Sequence, residues 1–152
     1  MTLATQAKED ARPKILPPTV LVVDDDPQAL AALQRTFRTE PYELITTDDP
    51  FTALDWIKGR DIDLVISDEF MPAMLGTELM EAARIHSPET AMVLLTGYPN
   101  MSVSYRSFQQ RVDLLVVKPW NDRELRNQAR RLLQDRGWRG PEEETEPIGG
   151  AE

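Results

Sequence analysis

Short, nearly unbroken aliphatic runs recur along the middle of the chain, at residues 20–23, 64–66, 92–95 and 114–117. A strand with one wet face alternates apolar and polar residues, so runs without alternation predict strands covered on both faces. A fifth segment, residues 42–46, does alternate and reads as a partly exposed edge strand. Between these runs apolar residues return every third or fourth position, the period of a helix. Leu30, Leu33 and Phe37 share one face of a segment that opens at Pro27, with Asp26 placed to cap it. Ala53, Leu54 and Ile57 mark a second helix, starting at Pro50 or Phe51 and stopping at Gly59. Leu79, Met80 and Ala83 mark a third, over residues 77–86. Leu125, Ala129, Leu132 and Leu133 mark the last, with Asn121 as its cap and Glu124 in the capping-box position. Residues 101–110, MSVSYRSFQQ, are poor helix formers, and only the alternation of elements predicts a further helix there.

Strands alternating with helices predict an α/β fold around a parallel sheet, with right-handed crossovers. Core patterning is absent from the proline-bearing start and from the glutamate-rich stretch after Gly140. The expected organisation is a flexible extension at 1–18, one folded domain at 19–136 and an acidic disordered tail at 137–152. A net charge of −9 gives no electrostatic reason to expect nucleic-acid binding, despite Arg123, Arg126, Arg130 and Arg131 along the last helix. Those arginines are expected on a solvated face or at a protein contact. The chain has no cysteine and one histidine, which leaves neither thiolate metal sites nor a histidine-rich zinc site. No apolar run approaches the roughly 18–20 residues that cross a bilayer. The first residues also lack the apolar centre of a signal peptide. The expectation is a cytoplasmic protein with no membrane partner.

In parallel α/β sheets, ligands gather at the carboxyl ends of the strands. The first run ends in Asp24 and Asp25, the next buried run in Asp68, the next in Thr96, and the last in Lys118 followed by Pro119. The edge strand ends in Thr46 and Thr47, which suggest no chemistry. Three carboxylates brought together repel, and a hard divalent cation removes that cost. All-oxygen donors favour Mg²⁺, or Mn²⁺, over zinc. Magnesium pairs readily with a phosphate oxygen, and Lys118 and Thr96 are suited to hold a phosphate. A carboxylate can also take up a phosphoryl group as a nucleophile. Each residue alone has a plainer reading: Asp26 a helix cap, Asp68 a loop carboxylate, Thr96 a strand end, Lys118 a surface lysine. The specificity lies in the set.

The stretches LVVDDDP, DLVISDEFMP followed by Gly76, LLTGY and VVKPW resemble, in order and separation, the receiver domain of two-component response regulators. The resemblance covers about residues 19–133. It implies a flavodoxin-like, doubly wound five-stranded parallel sheet in the order 2-1-3-4-5, with five helices. It implies Asp68 as phosphoacceptor, served by a sensor histidine kinase or a histidine phosphotransfer protein. Asp25, Asp68 and the backbone carbonyl of Phe70 would bind Mg²⁺ directly, and Asp24 mainly through water. Lys118 would grip the phosphoryl group, Thr96 would follow it, and the Lys118–Pro119 bond would be cis. Members of this family usually carry an aromatic residue three positions before the lysine. Here Leu115 leaves that ring switch without its ring. Leu115 then reads as core packing, or Trp120 or Tyr98 takes over as reporter of the site. Glu69, beside the acceptor, is expected to point to solvent.

The stretch after residue 133 is not expected to hold a DNA-binding or catalytic output segment. The expected protein is a single-domain phosphoacceptor regulator, not an enzyme beyond promoting its own phosphotransfer and dephosphorylation. Its output would be a contact with a downstream protein, or a homodimer, through the face formed by residues 101–133, with Tyr105, Phe108 and Trp120 as anchors. The alternatives are a receiver fragment of a longer regulator and a phosphorylation-independent interaction module. A phosphatase of the haloacid dehalogenase type needs a second aspartate two residues after its nucleophile, where this chain has Phe70.

Overall fold

Successive residues of a strand point to opposite faces, and in β1 (Thr19–Val23) both faces are apolar. Val20 and Val22 face one layer, Leu21 and Val23 the other. The structure, a computed structural model, describes residues 17–98 and 112–139. Four further strands complete the sheet: β2 (Glu43–Thr47), β3 (Leu64–Asp68), β4 (Ala91–Thr96) and β5 (Leu114–Val117). Their order is β2-β1-β3-β4-β5 and every pairing is parallel. All six residues of β4 and all five of β3 are buried, which is why neither alternates. In β2, paired on one side only, Glu43 is exposed and the rest half-buried.

Among the described residues there are four helices: α1 (Pro27–Phe37), α2 (Pro50–Gly59), α3 (Gly76–His86) and α4 (Asp122–Asp135). The fifth expected helix, at residues 101–110, lies outside the described residues. Leu33 and Phe37 of α1 and Leu125, Ala129 and Leu133 of α4 close over Val20, Val22, Leu64, Ile66, Val93 and Leu95. Ala53 and Ile57 of α2 and Leu79, Met80 and Ala83 of α3 cover Leu21, Val23, Val65, Met92 and Leu94 on the other face. The sheet is thus the middle layer of three. No described helix is long and apolar enough to cross a membrane.

Three helices start on a local side-chain cap. Asp26 accepts from the Gln28 amide at 2.9 Å, Asp49 from Phe51 at 2.9 Å, and Asn121 from Glu124 at 2.9 Å. Each satisfies an amide that the helix itself cannot reach. The fourth, α3, follows Leu75, whose side chain has no acceptor.

Packing continues past the expected boundary at residue 136. Gly137, at φ 98°, reverses the chain after α4, with its amide donating to the Gln134 carbonyl at 2.9 Å and the Trp138 amide donating to the Leu133 carbonyl at 3.1 Å. Only glycine adopts that φ cheaply. The turn drops Trp138 into the core, where it is 4% exposed and its ring centroid lies 5.6 Å from that of Tyr42. Arg130, expected on an outer face or at a protein contact, is buried instead. Its Nη2 donates to Glu40 Oε2 at 2.6 Å, joining α4 to the turn after α1.

Candidate functional site

The parallel register carries four strand ends to one edge of the sheet. Val23 pairs with Ser67, Asp68 with Leu95, and Thr96 with Val117, so Asp24, Asp68, Thr96 and Lys118 emerge side by side. Carboxylate oxygens of Asp24, Asp25 and Asp68 lie within 4.8 Å of one another. Lys118 Nζ stands 3.0 Å from Asp68 Oδ1 and 3.1 Å from Asp24 Oδ2. Asp24 is fully buried and also accepts from the Asp26 amide at 2.9 Å, so each of its oxygens has a partner within the chain. Asp25, by contrast, is exposed. Thr96 is fully buried, and its Oγ1 accepts from the Tyr98 amide at 3.1 Å. The Lys118–Pro119 peptide is cis, as the resemblance implied.

The charges do not balance. Burial raises the Asp68 pKa, the hydrogen bond from Lys118 opposes this, and the charge of Asp24 adds to it, with a net upward shift. Burial alone would lower the Lys118 pKa. The bonds and charges of Asp68 and Asp24 outweigh it, and the amine is held above its ordinary value. One ammonium against three carboxylates leaves an excess of negative charge in a poorly solvated place. Hard oxygen donors and uncompensated charge are the chemistry that suits Mg²⁺ or Mn²⁺, so the residues present fit such an ion.

Glu69 corrects an expectation. It does not face solvent: it is 1% exposed, and its carboxylate accepts from the Thr77 amide at 2.9 Å and the Thr77 hydroxyl at 3.2 Å. Burial pushes its carboxyl pKa upward, and the two Thr77 bonds pull the other way. Thr77 lies in the first turn of α3, where Leu75 offers no cap, so Glu69 supplies from upstream what the local residue lacks. A signal was present in the sequence: a helix start with leucine at the cap position and an unexplained acid upstream. Gly76 is required by a different contact. A β-carbon there would sit 2.2 Å from the Asp68 carbonyl oxygen.

The remaining sequence-derived candidates fall in different places. Phe70, two residues after Asp68, is 38% exposed and holds its ring 6.2 Å from that of Tyr98. Leu115 packs partly buried against the α2–α3 side of the core. Trp120 is half-buried against the opposite core layer, and its indole N–H points to Thr36 Oγ1 and Asp122 Oδ1, each at 3.0 Å. That ring therefore ties the segment after β5 to α1. Leu115, Pro119 and Trp120 also line a cavity of about 200 Å³ beside α4. Tyr105 and Phe108 lie outside the described residues.

Comparison with known proteins points the same way as the site. The family model "Response regulator receiver domain" matches residues 20–130. Among curated proteins, the chain is 29% identical to transcriptional regulatory protein CpxR of Escherichia coli K12, over 78% of this chain and 50% of that protein. It is 30% identical to PrrA of Mycobacterium tuberculosis, over 79% of this chain and 52% of that protein. The chain thus spans about half the length of these curated relatives. A signal receiver domain of an HD domain-containing protein from Pseudomonas fluorescens superposes with a TM-score of 0.75 at 30% identity, covering 84% of this chain and 94% of that one. Response regulator TrrA of Thermotoga maritima, solved in complex with Mg(2+)-BeF, superposes at 0.68 with 31% identity, covering 76% of this chain and 98% of that one. A five-stranded parallel sheet in this order, an acidic triad beside a lysine, and the family match over most of the folded part lead to one conclusion: the chain belongs to the response regulator receiver domain family.

Proposed function

We propose that the chain is a phosphoacceptor regulator of a two-component system, phosphorylated on Asp68 by a sensor histidine kinase or a histidine phosphotransfer protein. The observation that carries this reading is the contact of Lys118 Nζ with both Asp68 and Asp24 beside the exposed Asp25. An Asp68 carboxylate oxygen attacks phosphorus, the phosphorus–nitrogen bond to the donor imidazole breaks, and an acyl phosphate remains on Asp68. Asp24, Asp25 and Asp68, with the Phe70 carbonyl, would hold Mg²⁺. Once bound, that ion supplies positive charge to the phosphoryl oxygens. Lys118 lies where it can neutralise a further phosphoryl oxygen, and Thr96, at the end of the strand paired with β5, would follow the phosphoryl group once it is attached. Only its own phosphotransfer and dephosphorylation are promoted, in the cytoplasm.

Output in this reading is a protein contact or a homodimer. The cavity beside Leu115, Pro119 and Trp120 supports an output surface on the β5–α4 side. Asp68 phosphorylation is tested by incubating the protein with acetyl phosphate and Mg²⁺. The expected result is one acid-labile adduct per chain, absent in Asp68→Asn. Repeated turnover of a phosphoester would indicate a phosphatase instead. No adduct under any condition would indicate a phosphorylation-independent interaction module.

A further inference from the structure

Asp68 is followed by a loop, residues 70–75, that carries the Phe70 carbonyl and leads into α3. Both ends of this loop are tied by one residue. The Glu69 amide donates to the Leu95 carbonyl at 2.9 Å, extending the β3–β4 ladder, and the Gly76 amide donates to the Glu69 carbonyl at 2.9 Å. The Glu69 carboxylate then crosses the loop to the Thr77 amide and hydroxyl. Leu75 is the residue that should cap α3, and it has no acceptor. Its own amide is taken by Glu78 Oε1 at 2.9 Å. The first turn of α3 is therefore held by a side chain rooted beside the acceptor. Gly76 packs closely on the Asp68 carbonyl, since a β-carbon there would lie 2.2 Å from that oxygen, so this turn sits directly against the acceptor backbone.

We infer that Glu69 is a positioning residue for the phosphoacceptor, clasping the loop after Asp68 to Thr77 so that the Asp68 and Phe70 backbone stays aligned for the metal and the incoming phosphoryl group. This rests on the phosphoacceptor reading above. Glu69 touches neither group. It acts through backbone placement, and small misplacements of reacting groups are expensive in rate. The carboxylate does locally what an N-cap residue does, with one difference: a local cap holds only the helix, whereas Glu69 also holds the loop.

That difference is the test. The full chain is compared as wild type, Glu69→Ala, Glu69→Gln and Glu69→Ala with Leu75→Ser, which restores a local cap. Three quantities are measured: Mn²⁺ affinity by electron paramagnetic resonance, the rate of phosphoryl uptake from acetyl phosphate at saturating Mg²⁺, and the melting temperature. Glu69→Ala should slow uptake by about tenfold or more and weaken Mn²⁺ binding. Adding Leu75→Ser should recover melting temperature while leaving uptake slow and binding weak. Should Glu69→Ala alone fail to fold, this recapped variant carries the measurement. Glu69→Gln keeps an oxygen for the Thr77 amide and should return uptake to within about threefold of wild type. The inference is overturned if Glu69→Ala matches wild type in uptake and Mn²⁺ affinity, or if the serine cap restores both along with stability. It also fails if glutamine is as impaired as alanine. A wild-type protein that never takes up a phosphoryl group refutes the phosphoacceptor reading instead, and the Mn²⁺ measurements then still decide the role of Glu69.

Discussion

Lys118 Nζ lies 3.0 Å from Asp68 Oδ1, and the same amine reaches Asp24 Oδ2 at 3.1 Å. Lysine here is the internal counter-charge for two carboxylates, one of them with no solvent contact. Removing it as Lys118→Ala leaves like charges facing each other in a poorly hydrated place. The expected loss is about 1–3 kcal/mol in the absence of divalent ions, below the cost of breaking a fully buried pair because the lysine is partly exposed. Urea unfolding at neutral pH, with chelator and then with Mg²⁺, checks it. The ion should recover part of the loss.

Asp68 gives a pH dependence of definite sign. Its folded pKa lies above the ordinary 3.8, chiefly because of burial. A raised acid binds its proton more tightly in the folded state. Its contribution to stability is therefore fully present below the unfolded pKa and lost as pH rises through the folded one. Asp68→Asn is neutral throughout and escapes that loss. Without metal, the variant should melt above wild type at pH 7, with the advantage shrinking towards pH 4. Mg²⁺ should close the gap from the other side, stabilising wild type by about 2.7 kcal/mol at a hundred times its dissociation constant. A variant that melts below wild type at neutral pH in chelator would contradict this.

Gly76→Ala separates two opposing effects by sign alone. On helix propensity, replacing glycine gains roughly 0.5–1 kcal/mol in a helix interior and at most that at Gly76, the first residue of α3. In this chain the added methyl meets the Asp68 carbonyl oxygen at 2.2 Å and Leu94 Cδ1 at 2.8 Å. Overpacking of that kind costs roughly 1–3 kcal/mol, so the net change should be destabilising. If Asp68 takes up the phosphoryl group as proposed, uptake should slow as well, since the displaced atom is its carbonyl oxygen.

The buried pair of Glu40 and Arg130 predicts a contrast between single and double variants. Arg130→Ala leaves a carboxylate buried without its partner and should cost about 3–5 kcal/mol. Replacing both, Glu40→Leu with Arg130→Met, should be close to neutral, because two well-packed apolar chains avoid the desolvation penalty. Chemical denaturation of the three variants decides it. Equal losses in the single and the double would show that the pair itself contributes the stability.

Periodicity made most of the architecture legible. Unbroken aliphatic runs such as 92–95 can only be satisfied in a strand with cover on both faces, and β4 is that strand. Asp26 and Asn121 identified their helix starts because a cap acts within three residues of itself. The strand-end residues were also visible, since a parallel sheet sends all carboxyl ends to one edge and leaves little choice about where Asp24, Asp25, Asp68, Thr96 and Lys118 meet.

Tertiary structure alone decided the contacts whose partners are distant or whose local signal is misleading. An acid after a buried strand looks solvated, yet Glu69 turns inward because α3 begins on Leu75 and its first amides need an acceptor. Arg130 looks like one of several surface arginines until Glu40 meets it across the α1–α4 seam. Trp138 looks like part of a polar tail until Gly137 turns the chain back onto Tyr42. Local periodicity determines which residues must be covered. Which group satisfies a buried amide, carboxylate or ring depends on what packing brings within about 3–6 Å, and no window of sequence contains that information.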